Sequence, residues 1–194
     1  MAKKEPMIEE KTIKSEKERK SRNRKIKAVF TSENIYSNSS DASALQSKSV
    51  FGERKEGKVI YSIFEALYLI ERKKMNVYFK NKRIRFEDLI SKARKKDKNV
   101  LTKYLVFKDM RTRGFVVKTA LKFGAEFRVY DRGVKPGKKH ARWILYPVSE
   151  NSSLTWHDFS AKNRVAHSTK KNLLIGIVDE EEDVTYYEVA WKKP

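Results

Sequence analysis

Residues 173–178 read Leu173-Leu174-Ile175-Gly176-Ile177-Val178, an unbroken apolar stretch in a highly charged chain. A strand that is covered on both faces has this pattern, whereas a strand with one exposed face alternates apolar and polar residues. Strands are also predicted over 142–148 and 184–191, and a helix that begins after Thr155 is predicted to end near residue 167. The second half of the chain is therefore expected to be a mixed sheet flanked by helices.

Towards the N-terminus, a helix is predicted to end at Gly114, followed by strands over 115–119 and 126–130. In the second of these strands, Phe127 and Val129 alternate with Arg128 and Tyr130. Because successive side chains of a strand point to opposite faces, Arg128 and Tyr130 are expected to share the face opposite the buried one.

The first half of the chain predicts short strands and helices of its own. Strands are expected at 28–30, 35–36, 59–61 and 76–79, and helices after Ser62 and over Ile84 to Ala93. The charged run 94–99 is typical of a linker. We therefore predict an α/β fold of mixed α+β type, with a small N-terminal α/β domain over 27–99 and a C-terminal domain over 100–194 that has a mixed sheet flanked by helices.

Residues 1–26 hold ten Lys or Arg and five Glu, with few apolar residues and no sustained period. Such a segment has no face to bury, so we expect a mobile basic tail that contacts phosphate loosely or only aids solubility.

The composition of the whole chain narrows the classes of function. The 194 residues include 45 Lys and Arg, 25 Asp and Glu and no Cys, giving a net charge of +20. The missing cysteines exclude a disulfide framework, a thiol nucleophile and cysteine-ligated metals, and the three histidines have no metal-binding spacing, so no metal or cofactor is expected. With no membrane span or signal peptide apparent, we expect a cytoplasmic protein.

The surplus of positive charge indicates a polyanionic partner, and nucleic acid is the leading candidate. Charge networks in proteins of hot organisms are the competing explanation, but they account for many charges of both signs and not for a surplus of one sign.

RNA cleavage needs only a few groups, because RNA carries its own nucleophile, the 2′-hydroxyl. A base, an acid and a cation on the phosphorane suffice, and no metal is obligatory. A tyrosine is a weak base unless neighbouring positive charge favours its phenolate form, and Arg128 offers that charge to Tyr130. A histidine is a natural acid at neutral pH, and His140 lies in the basic loop 133–140. Taken alone, Tyr130 could equally be a packing residue and His140 a surface residue.

Longer strings of sequence carry a family resemblance. These strings are 113–118, 122–130 and 164–168, with Lys170 and Lys171 next and an apolar strand that ends at Asp179. They are similar to the tRNA-splicing endonucleases of archaea, which are related to the catalytic subunits of the eukaryotic splicing endonuclease. The resemblance implies cleavage of precursor tRNA at a bulge-helix-bulge fold at intron boundaries, leaving a 2′,3′-cyclic phosphate and a 5′-hydroxyl.

The same resemblance implies the roles of individual residues. Tyr130 would be the base, His140 the acid and Lys171 the stabiliser of the transition state, with Lys170 as the alternative lysine. Family members grip a bulge base between two side chains, which match Arg164 and Trp191, although Trp191 could instead pack against the sheet. His167 would help to shape the junction between helix and strand.

One acidic run contrasts with the basic chain, and it consists of Asp179, Glu180, Glu181, Glu182 and Asp183. Such a run would find a complementary basic groove on another copy of the chain. The resemblance implies the same contact, because an acidic loop of one subunit of this family enters a cleft of its neighbour. We therefore expect a homotetramer, or a dimer of dimers, acting on precursor tRNA. A catalytic subunit of a heterotetramer, a non-catalytic RNA-binding module and a metal-dependent nuclease stay open as alternatives.

Overall fold

The computed structural model describes residues 25–31, 34–121 and 124–192, so nearly all of the predicted basic tail over 1–26 lies outside the described residues. Two sheets and five helices make up the described chain. The elements follow in the order β1 (Ile26–Phe30), β2 (Ile35–Ser37), α1 (Ser40–Ser49), β3 (Glu53–Lys55), β4 (Lys58–Tyr61), α2 (Ile63–Glu71), β5 (Met75–Phe79), β6 (Lys82–Ile84), α3 (Phe86–Arg94), α4 (Val100–Thr112), β7 (Val116–Ala120), β8 (Ala125–Tyr130), β9 (Trp143–Ser149), α5 (Trp156–Ser168), β10 (Asn172–Val178) and β11 (Val184–Val189).

The first sheet has six strands in the order β3-β4-β2-β1-β5-β6, and only β1 and β5 pair in parallel. One face of this sheet is buried, as Ala28, Val59 and Val77 show, and helix α2 packs on that side. Helix α2 begins where the sequence predicts, because Ser62 and Glu65 form a capping box. Its residues 64–69 are all buried, so this helix lies in the centre of the core.

The second sheet has five strands in the order β11-β10-β9-β8-β7, in which β9 and β10 are parallel and the other pairs antiparallel. Strand β10 is covered on both faces. Leu174 belongs to the core cluster that includes Val106 of α4, and Leu173 packs with Ala166 of α5. A Cβ on Gly176 would lie 3.0 Å from a methyl of Val106, so glycine lets α4 approach the strand closely. The predicted apolar strand that is covered on both faces is thus confirmed.

A single hydrophobic cluster runs from the first sheet through α2 and α4 into the second sheet. Polar contacts cross in the same place, because Tyr104 of α4 donates a hydrogen bond to Glu71 of α2 at 2.8 Å. The mixed α/β fold is confirmed, while the domain limits 1–26, 27–99 and 100–194 stay a prediction.

Some element bounds differ from the sequence predictions. Ile84 is the last residue of β6, paired with Val77, and the helix expected from residue 84 begins only at Phe86. Its start is fixed by Asp88, whose carboxylate accepts a hydrogen bond from the Arg85 N–H at 3.3 Å. The closing strand ends at Val189, two residues before the expected end.

Two edge strands, β3 and β6, were absent from the sequence prediction.

Within the described ranges, no helix is long and apolar enough to cross a membrane.

Candidate active site

Tyr130, His140 and Lys171 come together at one edge of the second sheet. Strand β8 ends at Tyr130 and runs antiparallel to β9, so its end meets the start of β9. Strand β10 runs parallel to β9, which brings Lys171, the residue before β10, to the same edge. His140 lies in the loop that joins β8 to β9.

These three side chains line one pocket of about 280 Å³. Its lining consists of Arg128, Tyr130, Gly137, Lys138, Lys139, His140, Ala141 and Lys171. Among the described residues that line it, none is acidic and four are lysine or arginine. A pocket with this charge is suited to a phosphate group.

Tyr130 and Arg128 lie on the same side of β8, as the alternation predicts, and the Arg128 guanidinium carbon is 6.0 Å from the centroid of the Tyr130 ring. The tyrosine is nevertheless only 5% exposed, because it packs with Val50, Val116 and Ala141. The face opposite the main core is therefore buried at this point, since the loop after β8 folds back over the ring.

The turn at the end of helix α5 gives the adjacent residues Lys170 and Lys171 different environments. Lys171 N–H donates to the Ala166 carbonyl and Lys170 N–H to the His167 carbonyl, both at 2.9 Å, and Lys170 has φ of 55°. This is a Schellman motif with the left-handed residue at Lys170. The motif leaves Lys170 exposed, whereas Lys171 is half-buried and lines the pocket.

Two cations are close together at the pocket wall. Burial and, to a smaller degree, the positive charge of Arg128 lower the pKa of Lys171. The Lys171 Nζ donates a hydrogen bond to the carbonyl of Thr169 at 2.6 Å, which orients the ammonium group from its own helix end. Arg128 in turn lies 3.8 Å from a carboxylate oxygen of Glu53.

Arg164 and Trp191 lie outside the pocket of their own chain but close to the end of α5 that leads into Lys171. The Trp191 ring is 60% exposed and its centroid is 4.7 Å from that of His167. His167 is three residues after Arg164 on the same helix, so the two side chains share one helix face. Trp191 therefore packs on a helix side chain and keeps most of its ring accessible.

The acidic run forms the turn between β10 and β11. The Asp179 carboxylate accepts hydrogen bonds from the N–H groups of Glu181 and Asp183, at 3.0 and 2.8 Å. Asp179 therefore shapes the turn, while the side chains from Glu180 to Asp183 are exposed.

A second, larger cleft of about 570 Å³ lies between the ends of helices α1, α2 and α4 and the loop after β8. Its cationic lining residues are Lys48, Arg72, Lys74, Arg111 and Lys135, and none of its described lining residues is acidic. The sequence predicted a basic groove but not its residues, because they are distant in sequence. Arg111 is held there by hydrogen bonds to the Ser49 and Phe115 carbonyls, and burial lowers its pKa.

Across 25–31, 34–121 and 124–192, no three His, Asp or Glu side chains are grouped so that they could hold a metal ion.

A two-sheet α/β chain with a basic pocket of tyrosine, histidine and lysine has the features of an enzyme that acts on a polyanion. Residues 100–186 match the family model of the tRNA intron endonuclease catalytic C-terminal domain, and residues 26–90 match that of the tRNA intron endonuclease N-terminal domain. The chain therefore belongs to the tRNA-splicing endonuclease family, and it is an endoribonuclease of tRNA splicing.

Proteins named tRNA-splicing endonuclease from three archaea illustrate the similarity. The Thermococcus onnurineus protein is 45% identical over 149 residues, which are 77% of this chain and 85% of the relative. The Nanoarchaeum equitans protein is 43% identical over 138 residues, covering 68% and 88%. The Methanothermobacter thermautotrophicus protein is 41% identical over 153 residues, covering 79% and 89%.

Proposed function

We propose that this endonuclease cleaves precursor tRNA at bulge-helix-bulge intron boundaries by metal-independent transesterification in the cytoplasm. The observation that carries the proposal is the shared pocket, in which Tyr130, His140 and Lys171 reach one site from three separate parts of the chain. A base, an acid and a cation around one phosphodiester are the groups that this reaction needs.

In the proposed reaction, Tyr130 accepts the proton of the 2′-hydroxyl, and the 2′-oxygen attacks the adjacent phosphorus. The bond from phosphorus to the 5′-oxygen breaks, and His140 gives its proton to that leaving oxygen. The products are a 2′,3′-cyclic phosphate and a 5′-hydroxyl, so one proton is taken up and one is given back. Each proton transfer contributes on the order of 10²- to 10⁴-fold to the rate.

Lys171 carries the third role, which is to stabilise the negative charge that develops on the phosphorane. Its ammonium group is half-buried at the pocket wall, where solvent screens charge less than at the surface. Arg128 adds a second positive charge near both the phenol of Tyr130 and the phosphate.

Placement of the RNA is assigned to Arg164 and Trp191. A bulge base offers two flat faces, and an exposed indole and a guanidinium can hold it without reading its sequence. The contact between Trp191 and His167 supports this assignment, since it leaves 60% of the indole accessible.

The assembly we propose is a homotetramer in which the acidic turn of one copy enters the basic cleft of another. The four exposed carboxylates from Glu180 to Asp183 are opposite in charge to the five cations of the cleft and nearly equal to them in number. The alternative is a heterotetramer with a different subunit. Activity of the purified chain alone would exclude that alternative.

The decisive experiment is incubation of the purified chain with a bulge-helix-bulge RNA in excess EDTA, followed by analysis of the RNA ends. We expect cuts at both bulges with cyclic phosphate and 5′-hydroxyl ends, and no cuts with Tyr130→Phe. Ends with 3′-hydroxyl groups, or a strict need for added Mg²⁺, would reject the mechanism in favour of a metal-dependent nuclease. Tight binding without cleavage would leave only an RNA-binding module.

A further inference from the structure

The first sheet has one open face, and a continuous row of side chains crosses it. The strand registers place these six residues side by side across all six strands, in the order Glu53, Ile60, Tyr36, Val29, Tyr78 and Arg83. Residues paired in register point to the same face of a sheet, so the row forms one surface.

This row is separate from the buried core. The alternate residues Ala28, Val59 and Val77 fill the opposite face, under the helices, and no member of the row belongs to a core cluster. Val29, in the middle of the row, is 44% exposed. An apolar and aromatic strip has therefore been left accessible on a charged protein, which indicates a binding surface.

Positive charges accompany the two tyrosines. The Lys58 ammonium is 4.8 Å from the centroid of the Tyr36 ring, and Arg83 is the cross-strand neighbour of Tyr78. Around Arg83 the sequence is strongly basic, since residues 72–98 hold twelve Lys or Arg and three Asp or Glu, and all twelve cations are exposed. Aromatic rings with interleaved cations on a sheet are the surface on which unpaired nucleotides stack.

The row also leads to the catalytic pocket. Glu53 at its first strand lies 3.8 Å from Arg128, which lines that pocket. Arg83 is at the opposite edge of the sheet, five strand spacings or about 24 Å away. RNA that leaves the pocket along this face would pass the tyrosines before it reaches the basic edge.

We propose that this open face binds unpaired nucleotides of the RNA substrate outside the cleaved phosphodiester, with Tyr36 and Tyr78 as stacking platforms. The inference rests on the proposed function of the catalytic pocket. Charge selects RNA as the occupant over the N-terminal segment of this chain, because residues 1–24 carry nine Lys or Arg against five Glu and share the sign of the face.

The test uses a fluorescein-labelled oligouridylate of twelve nucleotides and its anisotropy on titration with the full chain. Tyr36→Thr with Tyr78→Thr should weaken binding roughly tenfold per ring, since stacking is lost. Tyr36→Phe with Tyr78→Phe keeps both rings and should bind as the unaltered chain does. Equal affinity of all three proteins would overturn the proposal.

A second pair of variants changes charge at constant shape. Val29→Asp places a carboxylate in the exposed centre of the row and should weaken binding at low salt. Val29→Asn, whose side chain has the shape of Asp without its charge, should have a much smaller effect. Lys58→Gln and Arg83→Gln should each make the fall of log affinity with log salt less steep, by about 0.7 in the slope. Asp and Asn variants with the same affinity would contradict the assignment.

Cleavage assays separate this proposal from the proposed function. A minimal bulge-helix-bulge RNA without unpaired flanks should be cut equally fast by the unaltered chain and the Thr variant, while a precursor with single-stranded flanks should show a raised KM with the variant. Unchanged kinetics on both RNAs would reject the stacking face without contradicting the proposed nuclease function. A change in sedimentation without loss of RNA affinity would instead identify the face as a contact between copies.

Discussion

The Lys118 Nζ and a carboxylate oxygen of Glu65 lie 2.8 Å apart, and each side chain is only 5% exposed, so a buried ion pair joins the second sheet to helix α2. Both partners make further hydrogen bonds. Lys118 donates to the Gly52 carbonyl at 2.8 Å, and Glu65 accepts from the N–H groups of Gly52 and Ser62 at 3.0 and 2.9 Å. The pair therefore connects the two halves next to β3, the strand whose Glu53 contacts Arg128 of the candidate active site.

Lys118→Met should lower the free energy of unfolding by about 3–5 kcal/mol, because it leaves the Glu65 charge buried and uncompensated. Urea titration followed by circular dichroism measures the change. As a control, Arg85→Gln breaks the exposed pair with Asp88 and should cost less than about 1 kcal/mol. Similar small losses for both variants would show that the buried pair does not hold the halves together.

The features that local sequence could predict were those set by short-range physics. The apolar run at β10, the Ser62 capping box and the alternation that puts Arg128 beside Tyr130 all depend on neighbouring residues. Strand β3 could not be predicted this way, because all three of its residues are charged and exposed. Only pairing with β4 makes that segment a strand.

The site was predictable in its residue types and not in its environment. Burial of Tyr130 depends on Val50, which is 80 positions earlier in the chain and packs against the ring from the first half. The basic cleft likewise collects cations from α1, α4 and the loop after β8. No local pattern links such positions, since tertiary packing alone brings them together.

The Schellman motif at the end of α5 predicts different consequences for two adjacent lysines. Lys171→Ala should lower the single-turnover cleavage rate by about 10²- to 10³-fold, as loss of one transition-state contact does. Lys170→Ala should leave the rate within a few-fold and weaken RNA binding slightly, because its side chain is exposed outside the pocket. The reverse ranking would mean that Lys170 is the group that meets the phosphate.

Variants of His140 and Arg164 should distinguish the cleavage step from the binding of the RNA bulge. His140→Ala should slow cleavage about 10²- to 10⁴-fold with little loss of RNA affinity, because the proposed role of the imidazole is to protonate the leaving oxygen. Arg164→Ala should weaken binding of an RNA with an intact bulge more than binding of a fully paired RNA. Single-turnover rates and anisotropy titrations measure both effects, and an equal loss of affinity in the two variants would undo this division of roles.

Alkaline pH should destabilise the fold through buried phenols, Tyr104 and Tyr186 among them. Burial raises the pKa of Tyr104 and Tyr186, and the carboxylates of Glu71 and Asp109, which accept their hydrogen bonds, raise it further. The native state therefore keeps protons that the unfolded chain releases near pH 10, so this stability is complete below about pH 10 and is lost as pH rises beyond it.

Urea titrations at a series of pH values up to about pH 11 follow this loss around the ordinary tyrosine pKa. Tyr186→Phe should reduce the slope of stability against pH above that point, since one of the retained protons is gone. Tyr187→Phe alters a neighbouring tyrosine that is 57% exposed and serves as the control. A slope that is the same in all three proteins would contradict the assignment to buried phenols.

The acidic turn provides a test of assembly that keeps the fold intact. Replacing Glu180, Glu181, Glu182 and Asp183 with Ser should yield smaller species in analytical ultracentrifugation, because in the proposed assembly these carboxylates are the counter-charges of the basic cleft of a neighbouring copy. Asp179 is kept, since its carboxylate accepts the two N–H groups that shape the turn. Arg72→Glu, on the opposite side of the proposed contact, should have the same effect, and high salt should mimic it in the unaltered chain. A sedimentation profile that none of these changes alters would show that the turn and the cleft do not meet.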